Sequence, residues 1–190
     1  MRLARFAAGL ALAGWSVAPA FGAWDVAALM QLLKSHPPSR AHFNETKEVS
    51  ILDRPLETSG ELVFTPPDRL EKHVTSPGDE RMVADGERLV IERGGRRQEL
   101  ALADYPQVAV LIESIRGTLA GDRASLERTY VLALQGDERA WSLELRPRDE
   151  ALARLVKRIE IDGARAVVQR VEIEQADGDR SLMQIAPEKR

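Results

Sequence analysis

The chain has 190 residues, 44% of them apolar and 30% charged, which fits one globular domain of moderate size. A formal charge of −3 argues against an electrostatic footprint for nucleic acid. The absence of cysteine excludes disulfides, thiolate metal sites, cysteine nucleophiles and the acylated cysteine of a bacterial lipoprotein.

At the N-terminus Arg2 and Arg5 precede an apolar stretch over residues 6–17, and Ala18-Pro19-Ala20 supplies small residues for cleavage. That order predicts a secretory signal peptide over residues 1–20, with alternative ends at 22 or 23, and a single domain over 21–190. The apolar stretch is too short for a stable membrane span. An exported chain without cysteine points to the periplasm.

In residues 24–34, Val26, Leu29, Met30 and Leu33 recur at helical spacing, and Ser35-His36-Pro37-Pro38-Ser39 ends the predicted helix. The period then changes to two, with Phe43, Glu45, Lys47, Val49 and Ile51 alternating with their neighbours. Residues 58–64 put Leu62 and Phe64 on one strand face. Pro66 and Pro67 cannot donate to a ladder, so they close that strand and stiffen the turn before Asp68. Short strands are predicted over 80–84, 87–93 and 97–102, with turns at Asp85-Gly86 and Gly94-Gly95.

The same rhythm returns beyond residue 130, with turns at Gly136-Asp137, Asp162-Gly163 and Asp177-Gly178. About ten antiparallel strands following one another as neighbours predict a meander. One apolar segment interrupts it. Over residues 105–120, Val108, Leu111, Ile112, Ile115 and Leu119 form a helical stripe, with Asp104 the expected N-cap and Gly121 the stop. A shorter helical turn is predicted over 149–155. So long an open sheet curls, and the helices bury their stripes on its concave side, either completing a filled core or covering a cavity.

Motifs for catalysis are missing. His36, His42 and His73 form no metal-ligand spacing, and no G-x-S-x-G, G-x-G-x-x-G or phosphate-cradling loop occurs. Neither catalytic residues nor a cofactor or metal are expected.

The order of short motifs is more informative. It runs F-N-E-T at 43–46, S-G-E-L-V-F at 59–64, P-P-D-R-L at 66–70, Pro77 and M-V-A-D-G-E-R-L-V-I at 82–91. W-S-L-E-L-R-P follows at 141–147, then I-E-I-D-G at 159–163 and V-E-I-E-Q-A-D-G-D-R-S at 171–181. This pattern resembles the periplasmic outer-membrane lipoprotein carrier family (LolA-like), in particular its divergent LolA-related branch. The resemblance implies an α+β fold: a single curved antiparallel β-sheet forming a half-open, unclosed barrel with helices over its concave face. It further implies a monomeric carrier that accepts acyl chains of lipoproteins or other lipid cargo from an inner-membrane exporter and delivers them to an outer-membrane acceptor.

On that basis Leu62, Phe64, Leu70, Val108, Leu111, Ile112, Ile115 and Leu119 are the expected cavity and lid residues, with Pro66 and Pro67 at the cavity-mouth turn. The family's lid-contacting arginine falls at Pro66, and the hydrophobe after the turn falls at Leu70. The alternative reading is an envelope interaction or sensor module that uses the same fold to bind a protein partner.

Overall fold

The computed structural model describes residues 24–37 and 40–188. The expected signal peptide lies outside the described residues. Helix α1 (Val26–Ser35) starts where the Asp25 carboxylate accepts from the Ala28 amide at 2.9 Å, a side-chain N-cap. It buries Leu29, Met30 and Leu33 completely or nearly so. Each such side chain contributes about 1.5–3 kcal/mol of transfer free energy.

Six strands then run as an antiparallel meander: β1 (Arg40–Glu48), β2 (Leu56–Thr65), β3 (Arg69–Ser76), β4 (Glu80–Asp85), β5 (Arg88–Arg93) and β6 (Arg96–Ala101). A 3-10 turn (Leu102–Asp104) leads into α2 (Pro106–Leu119) and α3 (Arg123–Thr129). The second meander is β7 (Tyr130–Asp137), β8 (Ala140–Pro147), a helical turn α4 (Glu150–Ala153), β9 (Val156–Ala164), β10 (Val167–Gln175) and β11 (Arg180–Pro187).

The two meanders join through antiparallel β1 and β11, giving one sheet ordered β6-β5-β4-β3-β2-β1-β11-β10-β9-β8-β7. β6 and β7 are therefore both edges, and the sheet is not closed. The meander is not continuous in sequence, because the α2–α3 segment carries the chain from one free edge to the other. The β6 edge is blunted by Arg96, Arg97 and Glu99, charges that discourage edge-to-edge pairing.

Several local expectations need correction. β1 ends at Glu48, and Ile51, expected on that strand, is 88% exposed in the β1–β2 loop. Asp104 does not cap α2. It lies in the 3-10 turn, and Tyr105 precedes a helix that opens on Pro106, whose fixed φ suits the first helical position. The turns assigned to Gly136 and Gly163 fall later, at Glu138-Arg139 and Arg165-Ala166. Gly163 instead lies within β9 under the indole of Trp141, whose Nε1 donates to the Arg165 carbonyl at 2.8 Å. Any side chain there would enter the indole ring. Helix α3 has no apolar stripe long enough to announce itself.

Gly121 does stop α2. Its φ of +64° permits amide bonds from Gly121 to the Thr118 carbonyl and from Asp122 to the Gly117 carbonyl, the paired bonds of a Schellman motif. A Cβ at Gly121 would sit 2.2 Å from the Met30 carbonyl oxygen, so this glycine also lets α2 end tightly against α1.

Apolar packing divides into two clusters. The larger joins Leu29, Met30 and Leu33 of α1 to Leu126, Tyr130, Trp141, Leu143, Leu145, Ile159 and Ile161, on the β7–β10 half. The smaller joins Ala84, Leu89 and Leu102 to Met82, Ile91, Val108 and Ile112, on the β4–β6 half. Helix α2 belongs to both through interleaved positions of its first turns, since Val110 and Leu111 pack on the larger cluster. Between the two clusters the concave face is not filled.

Candidate functional site

The unfilled region is a cavity of about 760 Å³, within the range of small-molecule sites. The alternation of β-strands builds its floor. Inward residues are Leu62 and Phe64 of β2, Leu70 of β3, Met82 and Ala84 of β4, Val171 and Ile173 of β10, and Met183 and Ile185 of β11. Register ties them together: Phe64 stands opposite Leu70, Leu62 opposite Lys72, and Val171 opposite Met183. Helix α2 provides the roof with Val108, Leu111, Ile112, Ile115, Thr118 and Leu119. Exposed lining residues, Ser35, His36, Pro37, Arg40 and Glu188, mark where the cavity meets solvent.

All eight residues expected at the cavity and lid line this one space. Pro66 and Pro67 do not. They form the exposed tip of the β2–β3 hairpin, beyond the pair Thr65 and Arg69, and neither belongs to the lining. A ladder that keeps Phe64 opposite Leu70 necessarily lifts the intervening turn past the cavity wall.

Three features escaped sequence reading. One is the contribution of β10 and β11, which alternate apolar residues (Val171, Ile173, Met183, Ile185) but lie far along the chain from the motifs that suggested a site. Another is a polar spot in the apolar floor. Glu45 of β1 accepts hydrogen bonds from Lys72, from Ser181 Oγ at 2.6 Å and from Thr58 Oγ1 at 3.3 Å. Burial pushes the Glu45 carboxyl up, but these three donors outweigh it and hold it below its ordinary value. Lys72 also stands 4.8 Å from the centre of the Phe43 ring, a cation–π distance. Both Glu45 and Lys72 line the cavity. Alternation places them on the inward face, but neither was among the expected site residues.

The third is Arg116 of α2. Its side chain is 5% exposed, and Nη1 donates to the Gly86 carbonyl at 2.8 Å and to Glu113 Oε1 at 3.0 Å. Nε and Nη2 are buried with no partner among the protein atoms. The guanidinium ties the roof helix to the β4–β5 turn. The resemblance placed the family's lid arginine at Pro66, in the β2–β3 turn; Arg116 instead reaches the β4–β5 turn from the helix. Opposite it, Tyr130 Oη donates to the Val110 carbonyl at 3.2 Å, and burial pushes this phenol up to about 12. Helix α2 is thus held at both flanks by polar contacts, while its stripe faces a space.

Among the described residues no group of three or more His, Asp or Glu side chains could hold a metal ion, and no helix is long and apolar enough to cross a membrane. The arrangement can enclose an apolar molecule, with Glu45 and Lys72 as an ion pair in its floor.

Comparison with known proteins places the chain in a family. The family model described as outer membrane lipoprotein carrier protein LolA-like matches residues 18–187. No curated protein matches the sequence. Among solved structures, a LolA superfamily protein from Nitrosomonas europaea is 11% identical, with a TM-score of 0.47 over 87% of this chain and 93% of that one. The Pseudomonas aeruginosa MucA/MucB complex matches at 16% identity and a TM-score of 0.47, covering 84% of this chain and 55% of that one. The Mycobacterium tuberculosis lipoprotein LppX is 8% identical, with a TM-score of 0.44 over 85% of this chain and 93% of that one. The chain belongs to the periplasmic outer-membrane lipoprotein carrier (LolA-like) family, as a divergent member with its non-catalytic carrier fold.

Proposed function

We propose that the protein carries acyl chains of lipoproteins or other lipids through the periplasm in the cavity beneath α2, receiving them from an inner-membrane exporter and passing them to an outer-membrane acceptor as a monomer. The observation that carries this reading is the unfilled apolar space between two separate core clusters, roofed by a single helix. A chain selected only for stability would fill such a space, because each void forfeits dispersion contacts and transfer free energy.

Physical need and capacity match. Each methylene leaving water gains ~0.8 kcal/mol, so a long acyl chain is held in a membrane by on the order of 10 kcal/mol. A carrier must offer comparable apolar area and still release its load. Here the walls are Leu, Ile, Val and Met, with Phe64 the one aromatic residue among the lining residues. Branched and flexible side chains accommodate a disordered alkyl chain better than flat rings do. Release is served by α2, whose stripe competes with cargo for the same floor.

Native mass spectrometry of the protein purified from periplasm tests the reading, with acyl-bearing ligands released on desolvation as the expected result. A protein that is empty on purification and refuses palmitoylated peptide and phospholipid in reconstitution would defeat it. That outcome, together with a saturable complex with an envelope protein that survives Ile115→Asp, would favour the interaction module instead.

A further inference from the structure

The cavity floor is apolar except for Glu45 and Lys72, and a plain hydrocarbon would gain nothing from a partly buried ion pair. Such a pair costs several kcal/mol of desolvation per ion unless it is well compensated. Glu45 is compensated from three strands: Thr58 on β2, Lys72 on β3 and Ser181 on β11. Its carboxylate is occupied.

Lys72 is not saturated in the same way. An ammonium carries three N–H donors, and Glu45 is the only acceptor that its Nζ engages among the described residues. The face of Phe43 supplies electrostatic relief at 4.8 Å but no acceptor atom. Lys72 also stands in the register row Ala41–Leu62–Lys72–Met82, four residues that all line the cavity. Spare donors therefore sit among apolar lining, at the level of Phe43 and Glu45 on β1.

We propose that Lys72 is a specificity determinant that donates a hydrogen bond to the carbonyl oxygen of an acyl ester or amide, so that the cavity selects acylated molecules over bare hydrocarbon. The choice of a neutral acceptor follows from the pair's balance. Glu45 already neutralises the ammonium, and a second carboxylate beside it would place two anions on one cation in an apolar space. A carbonyl brings a dipole and no net charge. In an acyl ester this oxygen lies at the head of the alkyl chain, so a carbonyl at Lys72 leaves the chain itself to the apolar lining.

The inference rests on the acyl-carrier reading, and one displacement assay separates the two. Purified full-length mature protein loaded with a fluorescent acyl probe is titrated with methyl palmitate, palmitate and methyl hexadecyl ether, which share one alkyl chain. The wild type should bind methyl palmitate about tenfold more tightly than the ether, as expected for a hydrogen bond from a charged donor. Palmitate should bind more weakly than methyl palmitate at neutral pH.

In the double variant Lys72→Met, Glu45→Gln, which leaves no buried charge unpaired, ester and ether should bind within about twofold of each other. The Lys72→Arg variant keeps charge and donors and should keep the ester preference, so a double variant that fails to fold does not shield the proposal. Equal binding of ester and ether by the wild type, or an ester preference that survives the double variant, would overturn the proposal while leaving the carrier reading intact. Tighter binding of palmitate than of its ester would overturn the choice of a neutral acceptor. Failure of all three compounds to displace the probe would overturn the carrier reading and this inference together.

Discussion

Replacing Arg116 by methionine should close the roof more firmly, although it removes a visible hydrogen bond. The bond from Nη1 to the Gly86 carbonyl contributes about 1.5–3 kcal/mol as a charged donor's bond. The Glu113 pair adds at most about 1 kcal/mol, because Glu113 is 60% exposed. Against these stand two buried nitrogens, Nε and Nη2, without protein partners, each costing roughly 1–3 kcal/mol. The two sides come out near balance or slightly unfavourable, before the apolar burial a methionine would add.

Replacing under-compensated buried charge by an apolar side chain of similar volume typically stabilises by about 1–4 kcal/mol. Gly86 is half-buried at a turn, so water can take over its carbonyl. Hydrogen–deuterium exchange of the α2 amides is the direct assay. A stabilisation of about 1–3 kcal/mol slows opening roughly five- to hundredfold, and uptake of a fluorescent acyl probe should slow with it. Faster α2 exchange in the methionine variant would show that Arg116 is a net clasp and refute the balance.

Ile115→Asp places a carboxylate in the cavity roof outside either core cluster; acyl-probe retention should fall at least tenfold while the denaturant midpoint moves by less than about 2 kcal/mol equivalent. Gly121→Ala forces φ of +64° on a residue with a Cβ and drives that atom into the Met30 carbonyl, so chemical denaturation should register a loss of at least about 2 kcal/mol. The lowered Glu45 carboxyl contributes stability that is present above its unfolded value of 4.5 and lost as pH falls through the lower folded value. Thermal melts from pH 7 downwards should therefore lose stability less steeply below pH 4.5 in Glu45→Gln than in the wild type. Pro66→Arg, at an exposed hairpin tip outside the lining, should leave probe retention within about twofold of the wild type in the same displacement assay, the expected range for a surface change away from the site.

Periodicity served well where one face of an element is apolar and the other wet. The stripe Val108–Leu119 has helical spacing because that side of α2 faces the cavity, although Ser114 and Gly117 are buried on another side, and the two-residue rhythm of β2 and β3 reports a sheet with one solvated face. Inference failed where position in space is set by partners distant in sequence. Gly163 reads as a turn glycine, yet its lack of a side chain serves Trp141 across the ladder. Glu45 and Lys72 carry charge, the ordinary mark of a solvated face, yet both line the cavity floor, where Thr58 and Ser181 bond Glu45. Arg116 sits at the flank of the stripe, four residues after Ile112, where its charge suggests solvent; the β4–β5 turn covers it.

The seam between β1 and β11 has a consequence for the order of assembly. Each meander can form from neighbouring hairpins, but the seam joins residues 40–48 to residues 180–187, the most distant pairing in the sheet. Loop closure of that length comes late and slowly. The floor of the cavity crosses the seam, with Leu62 and Leu70 on one side and Val171 and Met183 on the other. A half-assembled chain therefore has no complete cavity floor, and under the proposed carrier function it could not be loaded before the seam closes. Once formed, the seam is gripped from both sides by whatever the cavity contains, so cargo should act as the last structural element of the fold.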